Sequence, residues 1–178
     1  MERFQDESGL ILQIPEAEDL VGSYRMEYDP SAPAGVPAHI TLLYPFIPPA
    51  LITIGDHDRL AELFSNYSCF EISLTELRRF PDVLYLAPEP RDSIVKLVQL
   101  IAARFPDYPP YGGQFAEINP HLTIAQNDDT QLLERIENEM TPAAKRILPI
   151  SKKVTEVSLF EQNNGFWKRT KTFPLRSN

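Results

Sequence analysis

Two short segments of this chain carry one four-residue pattern: His39-Ile40-Thr41-Leu42 and His121-Leu122-Thr123-Ile124. Side chains alternate faces along an extended strand. Each segment therefore sets an imidazole and a hydroxyl on one face and two aliphatic groups on the other. An imidazole titrates near pH ~6.5 and can move protons at neutral pH, and a hydroxyl beside it can donate to an anionic oxygen. Two such sets meeting at one phosphorus would suit cleavage of a phosphodiester. One ring deprotonates the nucleophile, the other protonates the departing oxygen, and the hydroxyls hold the non-bridging oxygens. His39 and His121 are therefore the candidate catalytic residues, and Thr41 and Thr123 the candidate phosphate-binding ones. A lone His-x-Thr is an ordinary strand feature, but here two of three histidines carry it. The third, His57, lies among charges in Asp56-His57-Asp58-Arg59 at a helix start and reads as a solvated surface residue.

Other chemistries lack their residues. There is no His-x-His and no Asp or Glu next to either motif, so no metal site and no cofactor is expected. Gly112-Gly113 is not followed by the Lys-Ser or Lys-Thr of a nucleotide-binding P-loop, and no Gly-x-Ser-x-Gly elbow is present.

The elements that must position the two motifs are legible as periodicities. Helical stripes run through Ala17, Leu20, Val21, Tyr24 and Tyr28; through Leu60, Leu63, Phe64 and Tyr67; through Ile94, Leu97, Val98, Ile101 and Phe105; and through Leu132, Leu133, Ile136 and Met140. Strands are expected at 10–14, 39–44, 70–75, 83–87, 121–125, 154–160 and 166–173. Pro81-Asp82 and Asn163-Asn164-Gly165 read as hairpin turns, the Asn-Gly step being the stronger signal. The order helix, proline-rich loop, His-containing strand, helix, hairpin occurs twice at nearly equal spacing. The expectation is a duplicated unit whose copies face each other across a groove.

A length of 178 residues suits one domain or two small lobes sharing a site. Cysteine occurs once, at Cys69, so no intrachain disulfide can form. The 17 prolines fall mostly between periodic segments. The start of the chain has no basic stretch followed by a long apolar run, and Leu10-Ile11-Leu12 is far too short for a membrane span. A soluble cytoplasmic protein is expected. The net charge of −8 does not suit a grip on long duplex nucleic acid. A nucleotide, short oligomer or strand end in a local pocket fits better.

At the motif residues the chain resembles the two-histidine phosphoesterase superfamily, specifically its 2′-5′ RNA ligase-like branch. The resemblance spans about Leu10 to Leu175. It rests on His39-Ile40-Thr41-Leu42-Leu43-Tyr44-Pro45-Phe46 and Pro120-His121-Leu122-Thr123-Ile124-Ala125. Arg79-Phe80-Pro81, Leu84-Tyr85-Leu86 and Tyr108-Pro109-Pro110-Tyr111-Gly112-Gly113 reinforce it. It implies an α+β fold for residues 1–178 as a single bilobal domain, pseudo-two-fold and duplicated. In that fold two antiparallel-rich sheets flank a central groove, with helices on the outside. It also implies metal-independent cleavage of 2′,3′-cyclic or 2′-5′-linked ribonucleotide phosphodiesters, with ATP-independent 2′-5′ RNA ligation as the reverse. The substrate would be a small nucleotide or an RNA terminus. The site is complete within one chain, so a monomer is expected.

Nothing in the sequence fixes the proton roles; His121 is taken as base and His39 as acid. Phe46, Tyr111 and Arg79 are further candidates for substrate binding, the aromatics by stacking on a base, whereas Tyr85 reads as core. Trp167, Arg169 and Lys171 alternate onto one face of the last strand and form either a basic strip along the groove or an exposed strand. The main alternative is a non-catalytic module that binds a nucleotide or RNA end, which would not need two imidazoles; a metal-dependent phosphohydrolase is a weaker one.

Overall fold

In the computed structural model, which describes residues 6–114 and 117–177, eight strands and four helices are interspersed along the described chain. Met1–Gln5, where a leader would begin, and Phe115 and Ala116 in the second proline-rich loop lie outside the described residues. The strands are β1 (Ser8–Gln13), β2 (His39–Leu43), β3 (Phe70–Arg79), β4 (Val83–Glu89), β5 (Leu122–Gln126), β6 (Ile150–Val154), β7 (Glu156–Asn163) and β8 (Phe166–Pro174). The helices are α1 (Glu18–Tyr28), α2 (Ile54–Ser65), α3 (Asp92–Arg104) and α4 (Thr130–Ile147).

Side-chain caps start two of the helices, α2 and α4. Thr53 and Asp56 form a reciprocal capping box at α2. The Asp129 carboxylate accepts from the backbone N–H of Gln131 and of Leu132 at α4. Helix α4 runs through Pro142, an exception to prolines lying between elements, because its buried stripe Leu133, Ile136, Met140 and Ala144 continues past it. Asn164 and Gly165 take the left-handed conformation at the β7–β8 turn, as an Asn-Gly hairpin requires. Among the described residues no helix is long and apolar enough to cross a membrane.

The strands form two antiparallel four-stranded sheets, β2-β1-β7-β8 and β5-β4-β3-β6. The expected duplication is visible in their order. β1-α1-β2-α2-β3 is matched by β4-α3-β5-α4-β7, with β6 inserted between α4 and β7, and each unit gives its last strand to the other unit's sheet. The two histidine strands, β2 and β5, are edge strands of different sheets, and they adjoin. Helix α1 packs on β5 and α3 on β2, so each unit's first helix backs the other unit's histidine strand. One large hydrophobic cluster spans both sheets: it includes Leu10, Ile40 and Leu42 from the first sheet, Leu84, Leu122 and Ile124 from the second, and residues of all four helices.

Two strand expectations need correction. The stretch read as one strand at 154–160 is two, β6 and β7, broken at Thr155 and placed in different sheets. The first of them hides its alternation because Lys152, on the inward side with Ile150 and Val154, is held by Glu16 at 2.8 Å. β3 extends to Arg79 because its charged second half is paired by β4.

The loop between α1 and β2 is clamped onto β8. The Trp167 N–H donates to the Ala34 carbonyl, and Gly35 has φ +105° with the Trp167 carbonyl oxygen 2.7 Å from where a Cβ would sit. Only glycine accepts both conditions. Gly35→Ala is therefore expected to destabilise the protein by about 1–3 kcal/mol, with the thermal midpoint falling several degrees. Gly55→Ala, where a Cβ meets only ordinary contact, should be neutral or mildly stabilising. Thermal denaturation of the two variants checks this; an unchanged midpoint for Gly35→Ala would contradict the clamp.

Candidate active site

His39 opens β2 and His121 immediately precedes β5; Thr41 and Thr123 follow two residues later. Their aliphatic neighbours Ile40, Leu42, Leu122 and Ile124 are buried in the shared core, which turns both imidazoles and both hydroxyls the other way. All four polar residues line one cavity of about 930 Å³ between the sheets. Ile11, Val36, Phe160 and Trp167 form an apolar wall on the first-sheet side, and Phe80 and Val83 face it from the second.

The two rings are held alike. His39 Nδ1 lies 2.8 Å from the Pro37 carbonyl oxygen and His121 Nδ1 2.7 Å from that of Asn119, each carbonyl two residues upstream. A carbonyl can only accept, so Nδ1 carries the hydrogen in both. In the neutral ring Nε2 then keeps its lone pair, on the ring edge away from the backbone.

Their surroundings differ. The guanidinium of Arg25, itself 2% exposed, is paired with Asp29 at 2.9 Å and also donates to Ser31 Oγ and the Val36 carbonyl. Asp29 in turn accepts from the Ser31 N–H and hydroxyl. Burial first, and then the Arg25 charge, push His39 down to about 4. His121 has aromatic surroundings instead. It stands edge-on to Phe80 and Tyr85, which stack on each other at 4.3 Å, and burial lowers its pKa as well.

The remaining sequence candidates separate. Tyr111 lines the cavity and its phenol is hydrogen-bonded with Thr41, while burial raises its pKa. It takes φ +51° beside Gly112 and Gly113, both also at positive φ, and its N–H donates to the Tyr44 carbonyl at 2.7 Å. Phe46 is not at the groove: it is buried edge-on against Phe105 and Tyr108, so it cannot stack on a ligand there. Arg79 is outside the lining too, paired with Glu137 of α4 at 2.9 Å. The basic strip does not form. The β7–β8 pairing slips at Thr170, so Arg169 lies opposite groove-facing Phe160 but Lys171 opposite core-facing Leu159, and neither lines the cavity. His57 is not a solvated residue: its Nδ1 is buried and its ring stacks on Phe173.

Sequence reasoning missed Arg25, Asp29, Phe80 and Glu7. For the first two a signal existed, since Arg25 and Asp29 stand at the i, i+4 spacing of a helical ion pair and Arg25 falls four residues after core Val21. Among the described residues no three His, Cys, Asp or Glu side chains are grouped to hold a metal ion.

The model of the 2′-5′ RNA ligase superfamily matches residues 14–166. The chain belongs to that superfamily. Solved structures similar in fold include E. coli LigT complexed with 3′-AMP (17% identity, covering 97% of this chain and 99% of that one, TM-score 0.59). Protein TT0787 of Thermus thermophilus is similar too (17% identity, 97% and 99%, TM-score 0.60). So is a protein described as a phosphoesterase (18% identity, 96% and 99%, TM-score 0.58). No curated relative matches in sequence. At these identities the structures speak for the fold, which is the LigT-like pair of curled antiparallel sheets with four helices.

Within this 2′-5′ RNA ligase superfamily fold, the arrangement offers two bare Nε2 atoms and two hydroxyls to one cavity, from rings that hold protons unequally. Imidazole resonances followed by NMR against pH should therefore move below the ordinary 6.5 for both rings, with His39 the lower. A midpoint for His39 at or above that of free imidazole would show that burial and Arg25 do not govern it.

Proposed function

We propose that this member of the superfamily is a metal-independent phosphodiesterase of 2′,3′-cyclic or 2′-5′-linked ribonucleotides, with ATP-independent ligation as the reverse reaction. The observation that carries the reading is that His39, Thr41, His121 and Thr123 line one cavity with both rings held through Nδ1. Structures of E. coli LigT with 3′-AMP and with phosphate support a nucleotide phosphate as the occupant of such a groove.

In this reading the phosphate lies between the rings, its non-bridging oxygens taking hydrogen bonds from Thr41, Thr123 and the Tyr111 phenol. One Nε2 removes a proton from water as its oxygen bonds to phosphorus. The P–O bond to ribose breaks, and the other ring's Nε2–H gives its proton to that oxygen. The buried Arg25 charge disfavours a cationic ring at His39, so His39 is the base. An anionic phosphate restores a proton more readily to His121, which is the acid. This reverses the roles taken from sequence.

His39→Ala and His121→Ala should each lower kcat/KM on nucleoside 2′,3′-cyclic phosphates by about 10³-fold, the double variant scarcely more, with EDTA present throughout. Near-parental rates from either single variant would sink the assignment. Because both rings fall below ordinary imidazole, kcat/KM, which reports the free enzyme, should peak on the acid side of neutrality. It is lost at lower pH as the base protonates and at higher pH as the acid deprotonates. A maximum above pH 7 would contradict it.

A further inference from the structure

The charge around the cavity is the opposite of what a polyanion needs. Glu7, Asp29, Asp82 and Glu117 line it, and among the described residues no Lys or Arg does. Asp29 is offset by Arg25, which leaves three carboxylates on three separate segments. Glu7 precedes β1 and accepts from the Tyr44 phenol at 2.5 Å, Asp82 is in the β3–β4 turn, and Glu117 lies just before Asn119. Of the cations on neighbouring elements, Arg79 is held by Glu137 and Lys152 by Glu16, Arg91 donates to the Asn119 side-chain oxygen, and Arg169, opposite Phe160 on β8, is exposed and outside the cavity lining.

Building on the phosphodiesterase reading, we propose that this groove selects its substrate by charge. It takes phosphodiesters whose only negative charge is the reacting phosphate, and it turns away those bearing a second phosphate a nucleoside's length distant. The preferred class is the nucleoside 2′,3′-cyclic phosphate with a free 5′-hydroxyl; 5′-phosphorylated nucleotides and strand termini are disfavoured. The reacting phosphate meets imidazoles and hydroxyls at the cavity floor. A second phosphate would lie among Glu7, Asp82 and Glu117, beside the apolar wall of Ile11, Val36, Phe160 and Trp167. Apolar walls concentrate the field of nearby charges, so three carboxylates there repel an added anion more than they would on an open surface.

The test compares kcat/KM for adenosine 2′,3′-cyclic phosphate with that for the same compound carrying a 5′-phosphate. The expected result is a preference of about tenfold or more for the 5′-hydroxyl form at low salt, shrinking as salt screens the repulsion over its Debye length of ~10 Å at 0.1 M. The double variant Asp82→Asn, Glu117→Gln should narrow the ratio between the two substrates. Equal rates, a preference for the 5′-phosphorylated form, or a ratio unmoved by the double variant would each overturn charge selection while leaving the phosphodiesterase reading standing. Turnover of neither compound would overturn that reading and this one together.

Discussion

The two-residue period of β2 and β5 governs the site. Ile40 and Leu42 on one strand, and Leu122 and Ile124 on the other, enter a single core shared by both sheets and all four helices. A slip of one residue on either strand would exchange the faces. An imidazole and a hydroxyl would then enter apolar surroundings, at a few kcal/mol for each unpaired polar group, and aliphatic groups would enter the cavity. Core burial thus fixes which way the chemistry points. Both strands are edges of their sheets and they adjoin, so two ordinary amphipathic strands become the facing walls of one groove. Helices α1 and α3, each crossing to the other unit's histidine strand, close the core behind them.

Duplication reproduces backbone geometry but not environment. Each ring gives its Nδ1 hydrogen to the carbonyl two residues upstream, a local device that any strand entry of this shape provides. Beyond it the halves diverge. His39 has a buried guanidinium in its surroundings, whereas His121 stands against the Phe80–Tyr85 stack. Two rings in identical surroundings would gain and lose protons together, which suits neither member of an acid/base pair. Environments that push two titratable groups apart are what divide such labour.

The paired His-x-Thr motif, the helices and the hairpin turns were legible in the sequence because each is a short-range pattern: alternation, a 3.6-residue stripe, an Asn-Gly step. What escaped depends on distant partners. Lys152 reads as solvent-facing until Glu16 meets it from the far end of the chain, so β6 went unseen. Phe46 sits beside the His39 motif, yet Phe105 and Tyr108 draw it into the core. The strip of Trp167, Arg169 and Lys171 fails because one bulge resets the alternation beyond Arg169. Sheet membership also resisted the sequence, since each unit's last strand crosses to the other unit's sheet.

Arg25 shows why a buried ion pair need not be read as a source of stability. Desolvating both charges costs several kcal/mol each, and well-packed apolar residues often serve the core equally well. An apolar pair could not do the rest. The Arg25 guanidinium bonds Asp29, Ser31 and the Val36 carbonyl, fixing the end of α1 to both sides of the loop that delivers Pro37 and His39. Asp29 spends its second oxygen on Ser31, locking the start of the same loop. The loop that is thereby fixed also carries Gly35 against Trp167 and Val36 in the groove wall. One pair therefore sets the position of the first histidine's anchoring carbonyl, the shape of the wall beside it and the charge that opposes its protonation.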